Sequence, residues 1–319
     1  MSTTLEPESI HDSTTTASQR IRTSFAACRL KFTWLGTTKS LSNEQKSQAA
    51  ETFGADSESI SAGKRLFDTK AESYRATTSL KSEITRFWKD NSLAYPEPGI
   101  RLIRQNRIEE FNATFDDFQS QLEAAVRRLD EHFHDLKESA RIRLGSLFDA
   151  TDYPSSLAGE FSFSVEYPSV EAPDYLRRLS PELYADQSRR VSERFDRAVE
   201  MAEQAFTEQL DGLVNHLAER LSGNDDGKPK IFRDSAVQNF REFFIRFKEL
   251  SVSSNEQLDD LVQRCELLMD GVQSQQLRNN EALRRSLATN LSTVQSSLDQ
   301  LLVDRPRRNI LRPNRRQGD

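Results

Sequence analysis

The composition of this 319-residue chain suits long helices better than a compact globule, because 29% of the residues are charged, 36% are hydrophobic and only 11 are glycine. No apolar run approaches the roughly 20 residues of a transmembrane helix, which excludes a membrane-spanning protein. The formal net charge is −6, but the last fifteen residues carry six arginines and one aspartate, so residues 1–304 hold −11. An acidic body is therefore followed by a basic tail.

The N-terminal segment MSTTLEPESIHDSTTTASQR is polar and acidic, where a signal peptide would be basic and then apolar. We expect residues 1–20 to be disordered, since so few apolar side chains cannot offset the entropy of ordering. Cys28 and Cys265 lie 237 positions apart, and neither has a metal-ligating partner nearby. They are predicted to be buried thiols in a reducing compartment. Together these features predict a cytoplasmic protein.

The first strand is predicted in RLKFTWLG, where Leu30, Phe32 and Trp34 alternate with polar residues at the two-residue period of a half-buried strand. The SNEQ sequence that follows, from Ser42, fits a capping box, in which a hydroxyl and an amide satisfy free N–H groups. It predicts the start of a helix. Another helix is predicted over residues 59–89.

The clearest periodicity predicts a helix over residues 106–148. Its apolar positions follow the alternating 3-4 spacing of a coiled-coil seam, with a slip near Phe133. A second long helix is predicted over residues 176–222. A third, over residues 233–250, carries a wide apolar face and should be buried on more than one side.

The longest helix is predicted to begin at the SSNEQ signal of residues 253–257 and to end before Pro306. Its core positions become polar at Gln275 and Asn279 and then apolar again. Two interpretations stay open. The polar pair fixes the register of the seam at a cost in stability, or it marks the point where a partner helix ends.

The stretch EFSFSVEYPSVEAP, residues 160–173, predicts a strand in the middle of helices, because apolar and polar residues alternate. The apolar face consists of Phe161, Phe163, Val165 and Tyr167. Since backbone N–H and C=O groups need partners, residues 30–34 are the first candidate to pair with this strand and residues 230–232 the second. Two alternatives remain: a small β element that caps one end of a helical bundle, or an open edge that awaits the strand of another chain.

The chemical motifs of the sequence favour ordinary structural roles. The GK pair of SAGKRLF resembles a phosphate-binding loop, but Glu58 stands in place of the first glycine and Arg65 in place of the following Ser or Thr. His132 and His134 point about 200° apart on a helix, so they cannot share one metal ion. Paired carboxylates are abundant, and none is distinguished by an apolar pocket. The sequence therefore predicts no enzyme, no cofactor and no metal site.

Five blocks of sequence carry a resemblance to a known family: FTWLGTTKSL, SAGKRLFDTK, PGIRLI, DYPSSLAGEFSFSVEYPSVEAP and IFRDSAVQNFREFF. In this order the blocks lie within residues 32–244. Over about residues 28–303 the chain resembles a bacterial and phage family catalogued only as a domain of unknown function. The resemblance implies a mainly helical protein of bacteria and mobile elements, encoded in places near MoxR-type ATPases. It implies no activity and no catalytic residue.

The C-terminal tail, residues 305–319, has a distinct electrostatic character. Its arginines are Arg305, Arg307, Arg308, Arg312, Arg315 and Arg316. With two prolines the tail cannot fold alone, and its arginines could contact phosphates by releasing counterions. It holds no aromatic residue for base stacking, so binding of nucleic acid would be weak, salt-sensitive and independent of sequence. The alternatives are a solubilising tail, a tail that folds back on the acidic helices, and contact with an acidic protein partner.

As a whole, the sequence predicts a mainly α protein: an elongated bundle of long antiparallel helices with coiled-coil-like seams and a small β element. We expect one elongated helical domain over residues 21–304, between the disordered segment and the basic, disordered tail. The predicted function is that of a non-enzymatic scaffold or adaptor that binds partner proteins, with a MoxR-type ATPase as one candidate and homo-oligomerisation as another. The alternative is a sequence-independent nucleic-acid-binding protein that uses the arginine tail.

Overall fold

The structure is a computed structural model that describes residues 15–221 and 235–303. It is mainly helical with a small antiparallel sheet, which confirms the predicted class. The helices are α1 (Ala17–Ser24), α2 (Asn43–Phe53), α3 (Glu72–Asp90), α4 (Ile108–Glu131), α5 (Phe133–Leu144), α6 (Leu176–Leu179), α7 (Pro181–Leu221), α8 (Ser235–Leu250), α9 (Glu256–Met269), α10 (Ser274–Asn279) and α11 (Glu281–Val303). The strands are β1 (Phe25–Trp34), β2 (Thr38–Ser40), β3 (Gly63–Arg65), β4 (Leu93–Ala94), β5 (Ile100–Arg104) and β6 (Phe161–Glu166).

The described chain divides into two compact units. Unit 1 comprises residues 15–24, 93–96 and 171–303, apart from the undescribed 222–234, and unit 2 comprises Phe25–Ser92 and Glu97–Val170. One helical domain over residues 21–304 stays a prediction. Helical periodicity shows which face of each helix is buried, but it carries no information on which distant helices share a core.

Unit 2 is built around an antiparallel sheet in which β1 pairs with β5 on one side and with β6 on the other. The predicted pairing of residues 30–34 with the strand in residues 160–173 is confirmed, since Leu30 lies opposite Val165 and Trp34 opposite Phe161 of β6. β1 is longer than predicted because its first half, from Phe25 to Arg29, pairs with β5. The other candidate partner, residues 230–232, lies outside the described residues.

Aromatic and aliphatic side chains of α3, α4 and α5 fill the core of unit 2. Its fully buried members include Phe67, Ile84, Ile103, Leu122, Leu129 and Leu157. The Phe67 ring lies 5.2 Å from that of Tyr74 and 6.3 Å from that of Phe133, both in edge-on geometry. Such contacts add to the hydrophobic effect of burying the rings. The core lies between these helices and one face of the sheet.

The predicted helix over residues 59–89 is wrong in its first half. Residues 63–65 form β3, which pairs antiparallel with β2, and α3 begins only at Glu72. A side chain at Gly63 would place its Cβ 3.2 Å from the Lys39 carbonyl oxygen, so the two strands approach closely there. Lys64 is buried beside Asp152. Long-range contacts of this kind accompany the departure from the local helical pattern.

The sequence signals at helix N-termini predict the starts of helices correctly. The capping box at Ser42 is confirmed: the Gln45 N–H donates to the Ser42 hydroxyl at 3.2 Å, and the Ser42 N–H donates to the Gln45 side chain at 3.1 Å. Gly54 ends this helix, α2, in the left-handed region at φ 63°. At the later SSNEQ signal the cap is Asn255, whose side chain accepts a hydrogen bond from the Leu258 N–H.

The long helices predicted from periodicity are interrupted at identifiable residues. The slip near Phe133 coincides with a break at His132 between α4 and α5. Ser180 separates α6 from α7 in an extended conformation, because it precedes Pro181, and the residue before proline disfavours helix. The predicted longest helix divides into α9, α10 and α11, with Gly271 at φ 67° in the first gap. The two interpretations offered for Gln275 and Asn279 both assumed an unbroken helix, and both residues lie in α10.

Unit 1 is centred on α7, which packs along α11 and α1 and also contacts α8 and α9. The predicted wide apolar face of residues 233–250 is confirmed over α8: Val237, Phe240, Phe243, Phe244 and Phe247 are all buried. The Phe206 ring of α7 lies 5.0 Å from that of Phe247. Aromatic packing between these two helices therefore forms part of the core of unit 1.

The expected disorder of residues 1–20 is wrong for its last four residues, where α1 begins at Ala17. Residues 1–14 lie outside the described chain. A helix this short is not stable alone, but here Ile21 is fully buried and the Arg20 guanidinium donates to the Val252 carbonyl oxygen at 3.0 Å. Contacts with the rest of unit 1 therefore stabilise α1, although the composition of this segment predicts disorder.

Both cysteines are free and buried, as predicted. The Trp88 indole N–H donates to the Cys28 Sγ at 3.2 Å. Burial raises the pKa of the Cys28 thiol to about 11 and that of Cys265 to about 12. At neutral pH both thiols are therefore protonated and buried away from solvent. Since the thiolate is the reactive form, neither is activated for reaction.

We therefore expect neither cysteine to react with a thiol reagent such as dithionitrobenzoate in the native protein at pH 7.5. Both thiols should react only after denaturation, which releases two equivalents of thionitrobenzoate per chain. The measurement is the absorbance of released thionitrobenzoate with time, with and without guanidinium chloride. Rapid release of one equivalent from the native protein would show that one of the two sites opens.

Candidate functional site at the open edge of strand β6

The residues of β6 are held in place by aromatic pairing with β1. Phe163 lies directly opposite Phe32 and Phe161 opposite Trp34. The ring centroids of Trp34 and Phe161 are 5.0 Å apart in edge-on geometry, and those of Phe32 and Phe163 are 6.1 Å apart. Cross-strand aromatic pairs of this kind each stabilise a sheet by about 0.2–1 kcal/mol. They fix the register of β6, because a slip of one residue would turn every side chain to the opposite face.

Helices α3 and α4 cover the aromatic face of this strand pair. The Phe115 ring of α4 lies 5.6 Å from the Phe163 ring. The ammonium group of Lys81, on α3, lies 4.6 Å from the centroid of Trp34 and 5.1 Å from that of Phe32. A cation over an aromatic face is attracted by the quadrupole of the ring, whose face carries partial negative charge. This face of the sheet is therefore packed.

Where β1 pairs with β6, the opposite face of the sheet is polar. Lys31 and Thr33 of β1 are exposed, as is Ser164 of β6. Lys31 donates a hydrogen bond to Glu166 at 2.6 Å across the two strands. Both side chains of this ion pair are about half exposed, so it contributes at most about 1 kcal/mol. Its main effect is to leave this part of the sheet close to electrically neutral.

The outer edge of β6 carries no further strand within residues 15–221 and 235–303. In an antiparallel sheet, alternate residues direct both their N–H and their C=O groups to the same side. β6 is the last strand of its sheet, so half of these groups point away from β1. In the part of the chain that the structure describes, no backbone group bonds to that outer side. Such a row of unpaired donors and acceptors can pair with another strand.

β6 lacks the features that usually protect an edge. Natural edges are blunted by prolines, bulges or several charged side chains. The register with β1 runs without a bulge from Phe161 to Glu166, and Glu166 is the single charged residue of the strand. The first proline beyond it is Pro168. The edge is short, but over its length it is regular and rich in strand-forming residues.

The structure places the four residues of the predicted strand-pairing edge together. Phe161 is buried, Phe163 and Val165 are half-buried, and Tyr167 follows the strand with 41% of its surface exposed. The Tyr167 hydroxyl donates to the Asn112 side chain of α4, and burial raises its pKa. Sequence reasoning missed Lys81, because nothing in its own helix indicates that it covers two aromatic rings of a distant strand.

The other predicted contact site is not placed. All six arginines of the tail, from Arg305 to Arg316, lie outside the described residues. The nucleic-acid alternative therefore stays a prediction.

The Gly63–Lys64 pair has a structural partner of its own. Lys64 lies 2.6 Å from Asp152 Oδ2 and donates to the Leu147 carbonyl oxygen, also at 2.6 Å. Asp152 also accepts a hydrogen bond from Lys39. Burial would raise the pKa of the Asp152 carboxyl, but the hydrogen bonds and charges of the two lysines outweigh burial and hold the pKa below its ordinary value. The cluster joins the β2–β3 pair to the segment before β6.

Other candidates for chemistry are solvated. His132 and His134 are both exposed at the junction of α4 and α5. Within residues 15–221 and 235–303, no three side chains of His, Cys, Asp or Glu converge as the ligands of a metal ion would. In the same ranges no helix has the length and apolar character needed to cross a lipid bilayer.

No family model, no curated protein and no solved structure matches this chain. The resemblance to a bacterial and phage family stays a prediction. The site has to be interpreted from its own geometry.

Proposed function

We propose that this protein is a non-enzymatic scaffold that joins protein chains, and that its binding site is the open edge of β6. The observation that supports this function is the row of backbone N–H and C=O groups along β6 without a partner in the described chain. A strand that adds to such an edge gains main-chain hydrogen bonds, while side-chain contacts on the two faces select the sequence. The packed aromatic face and the polar face of β6 offer those contacts.

The neighbouring packing makes the edge ready to bind. β6 is fixed by Trp34 and Phe32 on one side and by Phe115 of α4 below. A partner strand would therefore meet a rigid edge and would not have to order it, which reduces the entropic cost of binding. Half-buried Phe163 and Val165 would gain cover from apolar residues of the added strand.

The elongated bundle with coiled-coil seams belongs to the same proposal. It is supported in unit 1 by α7, whose 41 residues extend about 62 Å at 1.5 Å per residue, and by the packing of α11 along it. Long helices would give the scaffold further surfaces for partners. A MoxR-type ATPase is one candidate partner, on the family resemblance alone.

A pair of proline variants tests the edge. Proline removes one backbone N–H, so at an outward-pointing residue it blocks strand addition and spares the pairing with β1, while at the next residue it breaks that pairing. The N–H groups of Ser164 and Val165 point to opposite sides of β6, so Ser164→Pro and Val165→Pro remove an N–H from opposite edges of the strand. The variant that keeps the native melting temperature identifies the outward residue. Ser164→Ala, which keeps the N–H, is the matched control.

The binding readout is a native pull-down of tagged protein from its own host after nuclease treatment, with bound chains identified by mass spectrometry. We expect the wild type and Ser164→Ala to retain a stoichiometric protein that the thermally stable proline variant loses. If that proline variant retains every partner, the edge is not the binding site.

A further inference from the structure

We infer that the strand accepted by β6 is β6 of a second copy of this chain, paired antiparallel about a twofold axis at Ser164. The inference rests on the proposed function, because both require the open edge. The pattern of residues along β6 and their exposure both favour a second copy as the partner.

Symmetry restricts how two copies of β6 can pair. Two antiparallel strands of one continuous sheet are related by a twofold axis perpendicular to that sheet. Such an axis keeps each residue on its own face, so aromatic residues meet aromatic or aliphatic residues and serines meet polar residues. The strict alternation of FSFSVEY satisfies this condition, and the strand is complementary to itself.

Two neighbouring registers are unfavourable. With the axis at Phe163, Glu160 would lie opposite Glu166, and like charges directly opposite each other destabilise a sheet. With the axis at Val165, Ser162 would lie opposite Pro168, which has no N–H to donate.

The register centred on Ser164 avoids both problems. Phe163 lies opposite Val165, Phe161 opposite Tyr167, and Ser162 opposite Glu166. All seven residues from 161 to 167 pair, and no two charges of the same sign are directly opposed. Every apolar residue of the strand then faces an apolar residue of the second copy.

The exposure of these residues agrees with that register. Tyr167 is 41% exposed and Phe163 and Val165 are half-buried, although all three are large and apolar. Ser164, at the axis, is exposed. The Lys31–Glu166 ion pair cancels the charge beside the edge, so two copies meet without strong local repulsion. Since a single strand pair is small compared with stable dimer interfaces, we expect a weak dimer in rapid exchange.

Disulfide trapping tests the inference directly. Residues opposite each other in an antiparallel pair have Cα atoms about 4.5–5.5 Å apart, within the range that a disulfide spans. Ser164→Cys should therefore form a covalent dimer under mild oxidation, read on a non-reducing gel. The native cysteines are buried and protonated, so they do not compete.

Two matched variants serve as controls. Ser162→Cys places the thiols of the two copies four residues apart along the strands, too far to bond, but it should cross-link in a mixture with Glu166→Cys. Ser120→Cys, an exposed serine of α4, measures random collision. Sedimentation equilibrium of the wild type should show mass rising from one chain towards two with concentration.

A dimer from Ser164→Cys and from the Ser162→Cys/Glu166→Cys mixture, with none from the single controls, supports the inference. A monomer from Ser164→Cys, or a dimer from Ser162→Cys alone, overturns it. The proposed function is tested separately. If Ser164→Cys stays monomeric while the stable proline variant loses a different protein, the edge binds a partner other than its own copy.

Discussion

Replacing Asp152 with alanine should lower the free energy of unfolding by about 3–5 kcal/mol, because it leaves the buried Lys64 ammonium group without its counter-charge. The side chains of Asp152 and Lys64 expose 3% and 5% of their surface, and their charged atoms are 2.6 Å apart. Lys39, which is half exposed, loses the same partner at smaller cost. The measurement is denaturant unfolding followed by tryptophan fluorescence. Both tryptophans, Trp34 and Trp88, lie in unit 2 together with the ion pair.

Two control variants show whether the loss of stability comes from removing the buried counter-charge or from replacing an aspartate as such. Asp116→Ala, at an exposed position of α4, should change the free energy of unfolding by less than about 0.5 kcal/mol. The double variant Lys64→Met with Asp152→Leu removes both buried charges and should return stability to near the wild-type value, since apolar residues often replace a buried ion pair without loss. If Asp152→Ala unfolds like the wild type, the ion pair does not stabilise unit 2.

The same variant has a defined pH dependence. The pKa of Asp152 is lower in the folded chain than in the unfolded chain, so its contribution to stability is complete above the unfolded pKa. It is lost as the pH falls through the folded pKa. The stability difference between wild type and Asp152→Ala should therefore be largest near neutral pH and should narrow in acid.

Replacing Phe67 with alanine should lower the free energy of unfolding by about 3–5 kcal/mol, the usual range for removing a buried phenylalanine. Phe67 is 2% exposed and contacts the rings of Tyr74 and Phe133, so the change removes apolar contacts and leaves a cavity between α3 and α5. Denaturant unfolding with the tryptophan signal measures the effect in unit 2.

Phe53 supplies the matched control for this change. It is also a phenylalanine of unit 2, but 79% of its surface is exposed at the end of α2. Phe53→Ala should leave the free energy of unfolding within about 0.5 kcal/mol of the wild type. Equal effects of the two substitutions would show that residue 67 is not in a close-packed core.

Much of the local structure could be predicted from the sequence, because local rules decide it. The alternation in RLKFTWLG and FSFSVEY predicted both strands, and the need of their backbone N–H and C=O groups for partners predicted the pairing. The capping box lies within four consecutive residues, Ser42 to Gln45, so it is visible in the sequence. The apolar face of α8 likewise depends on spacing within a single helix.

The predictions fail where the structure of a segment depends on contacts with residues far away in the sequence. β3 pairs with β2, and its Lys64 contacts Asp152, 88 positions away; no local pattern of residues 59–71 indicates these contacts. Propensity is a weak preference that tertiary contacts override. For the candidate site, alternation predicted the residues of β6, but its position as the last strand depends on β5 occupying the other side of β1. That order is a property of the folded sheet.

The placement of α1 has a consequence for the order in which the chain folds during synthesis. The contacts that hold this helix come late, since Arg20 bonds to Val252, 232 positions further along. All of unit 2, by contrast, has been synthesised by residue 170. Chains fold as their segments emerge, and contacts between distant residues form slowly. Unit 2 can therefore fold on the growing chain before Val252 has been synthesised, and the apolar side chain of Ile21 stays unburied until then.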